Sequence, residues 1–389
     1  MTEVVIAGAC RTPIGKYGRA FRNVEAVRLG SLVVAEAVKR AGLVGADVEE
    51  VIMGNVIQAG LGQNPARQAA LYAGLPDRVG AVTVNKVCAS GMKSVAIAAD
   101  AIRAGSEEVV VAGGMESMSR APYLVKEARW GIGYNHVQFL DGMVYDGLWD
   151  VYNQFHMGVT GEIVSDRFKV TREDQDAFAL ESHRRAAQAT LDGAFKEEIL
   201  PVEIPGQARV ELDEGIRQDT SMEKLAKLPS VFREHGVVTA GNASQLSDGA
   251  SAMAVLSREA ADRHGVTPMA KIVDYVTAGV KPELVMEAPI PAVRKILKKT
   301  GFTIGDFDLI EHNEAYAAAS VAVMRELGID HVKFNVNGGA VALGHPLGCS
   351  GARVLTTLAY AMKERNARRG LATLCLGGGN AMAMILERP

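Results

Sequence analysis

The sequence predicts a layered α/β fold that consists of two similar halves with a large insertion between them. Three observations support this prediction. Short β-rich segments alternate with helical segments, the β-rich segments are nearly continuous apolar runs, and one strand–helix–strand unit occurs twice. Continuous apolar runs are typical of strands covered on both faces, and their alternation with helices is typical of layered α/β folds.

The first half begins with a strand and then alternates regularly. Gly42 and Gly74 follow two of the predicted helices, where glycine commonly ends a helix. The predicted elements are a strand at 3–9, a helix at 25–42, a strand at 49–57, a helix at 64–74, a strand at 81–87, a helix at 89–104 and a strand at 107–115.

The second half repeats this order. The predicted elements are a helix at 289–300, a strand at 307–313, helices at 314–327 and 350–365, a strand at 371–379 and a closing apolar segment at 380–387. In both halves a Val-Asn pair precedes a Ser-Gly that opens a helix, and a buried strand ending in Gly-Gly follows. We therefore expect a duplicated unit.

The insertion differs in composition from the two halves. It carries both tryptophans and many charges, and Thr171–Asp174 is typical of a capping box before a helix at 172–191. Insertions of this kind commonly supply substrate pockets. We assign 1–118 plus 247–268 to the N-terminal half, 119–246 to the inserted loop domain and 269–389 to the C-terminal half.

Composition excludes several functional classes. The 389 residues carry a formal net charge of −3, so a nucleic-acid partner is not expected. No apolar stretch reaches the ~18 residues of a membrane span, so no membrane partner is expected either. The four cysteines form no C-x-x-C pair, which argues against a zinc or redox motif and favours the cytoplasm. We expect no metal.

Cys88 lies where a predicted strand meets a helix, in the segment "NKVCASGMKS". The positive end of a helix dipole and the free N–H groups there favour a thiolate, so we expect a nucleophile with a lowered pKa. The alternative is a small buried side chain that only fills space, which is common for free cysteines.

Three further segments are candidates for chemistry. His345 is flanked by glycines and can project into a site, although it could also be an ordinary turn residue. Cys375 precedes Gly377, Gly378 and Gly379. The N–H groups of these glycines can approach an oxyanion closely. The alternative is that the glycines form only a tight turn beside a buried cysteine. Asn313 lies where a predicted strand meets a predicted helix. Its side-chain amide could take part in the site, or it could only cap the N-terminus of the helix.

Taken in order, "VCASGMKS", "HNEAYAA", "GHPLGCSG" and "CLGGG" resemble the thiolase family, and within it the acetyl-CoA acetyltransferase (acetoacetyl-CoA thiolase) branch. The resemblance covers essentially the whole chain and includes "NPARQ", "AGGMESMS" and "TAGNASQLSDGA". It implies a layered αβαβα core. It also implies reversible condensation of two acetyl-CoA molecules to acetoacetyl-CoA and CoA, in two half-reactions through an acyl-enzyme.

The resemblance implies a role for each candidate. Cys88 would carry the acyl group, with His345 as its base, and Cys375 would be the general acid/base for the α-carbon, with a pKa not far from neutrality. One oxyanion hole would be formed by the N–H groups of Cys88 and Gly377. The other would be formed by His345 and a water held by Asn313.

The resemblance also implies where the substrates bind. Ser244 would contact the pantetheine chain and Arg217 the adenine end of CoA, while His156 and Met157 would border a small acyl pocket. Tyr316 stands where many members have phenylalanine. Acetyl-CoA, acetoacetyl-CoA and CoA would be substrates and products, with no separate cofactor. We expect a homo-oligomer, with a tetramer favoured over a dimer and the loop near 125–145 as a candidate interface.

Four alternatives are open at this point. They are a broader-range 3-ketoacyl-CoA thiolase, a decarboxylating condensing enzyme of the ketoacyl-synthase type, an inactive thioester-binding scaffold and a cysteine hydrolase. Cys375 argues against the condensing enzyme and the hydrolase, because neither has a use for a second cysteine. Two departures from the family pattern are small: Ala89 replaces a glycine, and Cys349 has no assigned role.

Overall fold

The computed structural model describes residues 2–134 and 136–389, in which strands and helices alternate. The strands are β1 (Val4–Arg11), β2 (Gly15–Lys16), β3 (Glu50–Gly54), β4 (Gly80–Val84), β5 (Val109–Ser117), β6 (Tyr123–Leu124), β7 (Leu140–Asp141), β8 (Trp149–Asp150), β9 (Phe155–His156), β10 (Ser247–Ser257), β11 (Ala270–Gly279), β12 (Leu309–His312), β13 (Arg369–Leu376) and β14 (Asn380–Glu387). The helices are α1 (Ala26–Arg40), α2 (Pro65–Tyr72), α3 (Ser90–Ala104), α4 (Gly158–Phe168), α5 (Arg172–Leu191), α6 (Met222–Ala226), α7 (Arg258–His264), α8 (Pro289–Thr300), α9 (Ala317–Leu327), α10 (Ala340–Leu343) and α11 (Leu347–Glu364).

The sheet topology repeats in the two halves. Outward from a central junction, the strand order is β1–β10–β5–β3–β4 on one side and β11–β14–β13–β12 on the other. In both halves the pairings nearest the junction are antiparallel, and the β3–β5 and β12–β13 pairings are parallel. A single parallel bridge between Ile310 and Phe334 takes the place of β4 in the second half. The predicted duplication is therefore visible in the strand order.

Helices separate and cover the two halves of the sheet. Helices α3 and α11 pack against each other, and their apolar side chains share one buried cluster with strands from both halves. A second cluster lies beneath α1 and α2, and a third beneath α8 and α9. This arrangement confirms the predicted layered α/β fold with its αβαβα core.

Glycines let the two halves meet at backbone distance. A Cβ added to Gly91 in α3 would lie 2.6 Å from the backbone nitrogen of Ala352, and one added to Gly351 in α11 would lie 2.3 Å from that of Met92. Real Cβ contacts are longer, so only glycine permits this crossing. The first turns of α3 and α11 are thereby held together.

Most predicted elements are present, and the differences fall near the candidate site. The helix predicted at 314–327 begins only at Ala317, because residues 313–316 form a non-helical turn. The strand predicted at 81–87 ends at Val84, because a tight turn precedes α3. The helix at 172–191 and the capping box of Thr171 and Asp174 are confirmed.

The inserted segment contains α4 to α6 and docks on the sheet through a buried ion-pair cluster. The Arg11 guanidinium donates to both carboxylate oxygens of Asp213 at 2.7 and 2.9 Å, and to Glu198 at 2.6 Å. The three side chains are almost fully buried. The boundaries assigned to the three domains stay a prediction. None of the helices in the described residues has the length and apolar character needed to cross a membrane.

Candidate active site

Two neighbouring cavities bring the predicted residues together. The inner cavity has a volume of about 50 Å³ and is lined by Cys88, His345, Cys375 and Gly377, among others. The outer cavity has a volume of about 440 Å³. The residues that line both are Leu148, Ser244, Tyr316, His345 and Leu347. Residues from both halves and from the insertion therefore converge on one site.

A strained turn presents Cys88. Val87 adopts φ 46°, a left-handed conformation that is rare for a β-branched residue. The side chain of Ser90 secures the turn, since its hydroxyl donates to Val87 O at 2.6 Å and accepts from Lys86 N–H at 2.8 Å. Ala89 has φ −90°, so its replacement of glycine causes no strain.

The protonation state predicted for Cys88 is wrong. Burial raises the pKa of the Cys88 thiol to about 12, although the backbone N–H groups of Gly377 and Cys88 itself hydrogen-bond to the sulfur and oppose the rise. Desolvation outweighs the favourable position at the helix mouth. Cys88 is therefore a thiol in the resting site, and it would need a base to act as the predicted nucleophile. The same two N–H groups converge at the sulfur, as required of an oxyanion hole beside it.

His345 is neutral, and its hydrogen bonds fix the tautomer of the ring. Its Nδ1 lies 2.6 Å from the hydroxyl of Ser350, which donates its own proton to Pro346 O at 2.9 Å. Ser350 therefore accepts from Nδ1–H, and Nε2 keeps its lone pair. Burial and the charge of Arg353 lower the pKa of His345 to about 3, so the ring is neutral at physiological pH.

Asn313 lies against His345 and lines neither cavity. Its Nδ2 is 3.4 Å from both ring nitrogens of His345, and its backbone N–H donates to Thr373 O of β13 at 3.1 Å. Its Oδ1 is buried without a hydrogen-bond partner in residues 2–134 and 136–389. The predicted water held by Asn313 stays a prediction.

Cys375 is the penultimate residue of β13 and lines the inner cavity. Its Sγ is 3.7 Å from the sulfur of Met286. Burial raises the pKa of the Cys375 thiol, and a negative charge on Cys88 raises it further. The expectation of a pKa near neutrality is therefore wrong for the resting site, because the cavity offers little solvation to a thiolate.

Two buried carboxylates, Glu314 and Glu116, join segments around the site, and neither was predicted to have a role from the sequence. Glu314 accepts from Ser182 Oγ at 2.7 Å, Asn335 Nδ2 at 2.7 Å and Val341 N–H at 3.0 Å. It therefore joins α5 of the insertion to the segment that leads to His345. Its position beside Asn313 in "HNEAYAA" was the available signal.

Glu116 joins segments of the N-terminal half to the first turn of α11. It accepts from the N–H groups of Val56, Ile57 and Gly348 at 3.0, 3.2 and 2.9 Å, and from Asn55 Nδ2 at 2.7 Å. Burial raises the pKa of Glu116 to about 7, and these N–H groups oppose the rise. The bond to Gly348 fixes the loop that carries His345 against the N-terminal half.

The residues predicted to border the acyl group surround both cavities. His156 Nδ1 accepts from Gly158 N–H at 3.0 Å, so Nε2 carries the proton and can donate. Its ring stacks on Phe232 at 4.8 Å, and Phe232 meets Tyr316 edge-on at 6.2 Å. Met157 lines the inner cavity, which is too small for a long acyl chain.

The residues predicted to bind CoA line the outer cavity. Ser244 lines both cavities, and its N–H donates to Ala315 O at 3.0 Å. Arg217 lines the outer cavity, and its backbone N–H donates to Nδ1 of buried His183 at 3.1 Å. Their contacts with CoA stay predictions. Cys349 is buried and lines neither cavity, so it acquires no role.

Within the described parts of the chain, no group of three or more His, Cys, Asp or Glu side chains is arranged to hold a metal ion. The expectation that the reaction needs no separate cofactor stays a prediction.

Comparison with known proteins identifies close relatives. Residues 4–259 match the thiolase N-terminal domain family, and residues 266–388 match the thiolase C-terminal domain family. The chain is 50% identical to an acetyl-CoA acetyltransferase of Syntrophomonas wolfei subsp. wolfei, over 99% of both chains. It is 48% identical to one of Cupriavidus necator, over 100% of both chains.

A solved structure agrees with these sequence matches. The crystal structure of the Bacillus anthracis acetyl-CoA acetyltransferase superposes with a TM-score of 0.98 at 44% sequence identity, covering 100% of this chain and 99% of that one. Together with the two domain matches and the geometry of the paired cavities, these relatives establish that the chain belongs to the thiolase family.

Proposed function

We propose that this chain, an acyltransferase of the thiolase family, is an acetyl-CoA C-acetyltransferase. It condenses two acetyl-CoA molecules to acetoacetyl-CoA and CoA, and catalyses the reverse thiolysis. The observation that carries the proposal is the convergence of Cys88, His345, Cys375 and Gly377 on one cavity of about 50 Å³. The names of the relatives support the same substrates.

In the first half-reaction the Cys88 thiol gives its proton to Nε2 of His345 as sulfur attacks the acetyl carbonyl. The N–H groups of Cys88 and Gly377 stabilise the oxygen that becomes negative. The carbon–sulfur bond to CoA then breaks, and the leaving thiolate takes the proton of Cys375. The products are CoA, acetyl-Cys88, protonated His345 and the Cys375 thiolate.

In the second half-reaction the Cys375 thiolate removes a proton from the α-carbon of a second acetyl-CoA. The enolate oxygen accepts a hydrogen bond from Nε2–H of His345, and Asn313 supports this side. The α-carbon attacks acetyl-Cys88, acetoacetyl-CoA forms, and the Cys88 thiolate leaves and recovers its proton from His345. While Cys88 carries the acetyl group it cannot become a thiolate, so the negative charge on Cys88 that would raise the pKa of Cys375 is absent at this stage.

The assay is thiolysis of 3-ketoacyl-CoA substrates of increasing length, including a 2-methyl-branched one. The small inner cavity predicts the highest kcat/KM for acetoacetyl-CoA and a steep fall for longer chains. Comparable activity on long chains would replace this proposal with a broader-range 3-ketoacyl-CoA thiolase. Absence of thiolysis on every substrate would leave the inactive scaffold.

We also propose a homotetramer. Apolar side chains are exposed in and beside the loop near 125–145, with relative exposures of 65% for Tyr123 in β6, 92% for Trp130 and 70% for Phe139. Exposed apolar patches commonly mark interaction surfaces. Light scattering on the purified chain tests the tetramer, and replacement of Trp130 by Ser should shift it towards smaller species. A monomer would contradict the proposal.

We further propose a cytoplasmic location. All four cysteines are free in the structure, and free thiols persist in reducing compartments. Acetyl-CoA, acetoacetyl-CoA and CoA are the proposed small-molecule partners, with no nucleic-acid or membrane partner.

A further inference from the structure

Among the described residues that line the outer cavity, some side chains are positively charged and none is an Asp or Glu. The lining is mainly apolar, and Lys16 and Arg217 are its two Lys or Arg side chains among the described residues. The insertion supplies Arg217, whereas Lys16 comes from the segment "RTPIGKYG" near the N-terminus. The proposed function gives Lys16 no role.

Among the described residues, neither Lys16 nor Arg217 forms an ion pair within 4.0 Å, although the charge of Arg217 contributes to the lowered pKa of Asp219. Glu214 Oε2 is occupied by the backbone N–H groups of Lys16 and Ala20, at 3.0 and 3.3 Å. Asp219 pairs with Lys224 at 2.6 Å. The side chains of Lys16 and Arg217 are therefore available to an anionic ligand.

The backbone of Lys16 is fixed on both sides. Strand β2 pairs with β10, where Lys16 lies opposite Ser247, and Tyr17 N–H donates to Leu246 O at 3.0 Å. The bond from Lys16 N–H to Glu214 ties the same residue to the insertion. Only the flexible side chain of Lys16 has to adjust to a ligand.

We propose that Lys16 is a further substrate-binding residue, whose ammonium group binds a phosphate of the CoA thioester at the outer cavity. A largely apolar cavity that continues to a reactive cysteine fits the pantetheine arm, and a cation beside it fits the phosphates at the far end of that arm. This inference rests on the proposed function and adds a contact to it.

Thioesters with and without phosphates test the inference. Lys16→Ala should raise KM for acetyl-CoA roughly three- to tenfold with little change in kcat, and this loss should shrink as salt is added. With acetyl-pantetheine, which has no phosphate, kcat/KM should change less than about twofold. Lys16→Arg should keep most of the affinity for acetyl-CoA.

The matched control is Lys298→Ala, because Lys298 is an exposed lysine of α8 that lines neither cavity. It should leave KM for acetyl-CoA unchanged. An unchanged KM in Lys16→Ala, or an equal loss with acetyl-pantetheine, would overturn the inference. Either result, obtained with a wild-type enzyme that converts acetyl-CoA, leaves the proposed function standing, whereas an inactive wild-type enzyme contradicts the proposed function itself.

Discussion

At the scale of single residues, desolvation sets the protonation state of Cys88. The N–H groups of Cys88 and Gly377 favour a thiolate, but burial raises the pKa of the thiol to about 12. His345, with a pKa lowered to about 3, remains neutral beside it. The resting pair is therefore thiol and imidazole rather than thiolate and imidazolium, and proton transfer accompanies the attack.

This protonation state predicts the pH dependence of alkylation. Between about pH 6 and pH 10 the thiolate fraction of a thiol with so high a pKa increases about tenfold for each pH unit. The rate of modification of Cys88 by iodoacetamide, followed by peptide mass mapping, should rise with the same slope. A rate that is level through the neutral range would indicate a preformed ion pair and contradict this account.

Met157 predicts how acyl-chain length is limited. Because its side chain lines the inner cavity of about 50 Å³, Met157→Ala should admit a longer chain. We expect kcat/KM for 3-ketohexanoyl-CoA relative to acetoacetyl-CoA to rise about tenfold, since each methylene in an apolar pocket contributes about 1–3 kcal/mol. Met222→Ala in α6, which lines neither cavity, is the control. An unchanged ratio in Met157→Ala would show that another wall sets the limit.

At the scale of elements, the site depends on turns that the helices and strands leave open. Because residues 313–316 form a turn, α9 begins only at Ala317 and Asn313 contacts His345. In the same turn, Glu314 accepts hydrogen bonds from donors in three segments. The turn before α3 holds Val87 at φ 46°, at a cost of about 1–3 kcal/mol. Both turns deviate from regular structure next to residues that the proposed mechanism uses, Cys88 and Asn313.

Glu314→Gln tests the first of these turns. Glutamine has one acceptor oxygen, and its amide group would face a donor, so a buried N–H or O–H loses its partner. We expect a loss of about 1–3 kcal/mol in the free energy of unfolding, measured with urea, together with a fall in kcat. Glu173→Gln, an exposed residue in the first turn of α5, should change neither. If Glu314→Gln unfolds with the wild-type free energy, the hydrogen bonds of Glu314 do not stabilise the fold, and the prediction is contradicted.

At the scale of the molecule, the two halves meet at backbone distance where α3 and α11 cross. Gly351→Ala would place a Cβ 2.3 Å from the backbone nitrogen of Met92. We expect a loss of stability of at least about 1–3 kcal/mol. In the control Gly305→Ala, the added Cβ meets only Thr303 Oγ1, at 3.7 Å, and unfolding should be unchanged. Equal stability of both variants would contradict the close crossing.

The sequence predicts the duplicated α/β framework because apolar runs and helix-ending glycines are local signals. Motif order likewise predicts that Cys88, His345 and Cys375 share a site. The protonation states of the two cysteines could not be predicted, since desolvation depends on every residue that surrounds the sulfur. The roles of Glu116 and Glu314 could not be predicted either, because the groups that donate hydrogen bonds to them come from segments that are distant in sequence and meet only in the fold.

The most direct test of the central claim is to identify the residue that carries the acetyl group. The Cys375→Ala variant lacks the base that removes the α-proton in the proposed second half-reaction. In the first half-reaction it loses only the proton donor to CoA, whose thiolate can leave unprotonated, so acetyl-enzyme should accumulate when the variant is incubated with acetyl-CoA and quenched with acid. Peptide mass mapping should find one acetyl group on Cys88, and none in Cys88→Ala. An acetyl group on any other residue, or condensation by Cys375→Ala at the wild-type rate, would contradict the account.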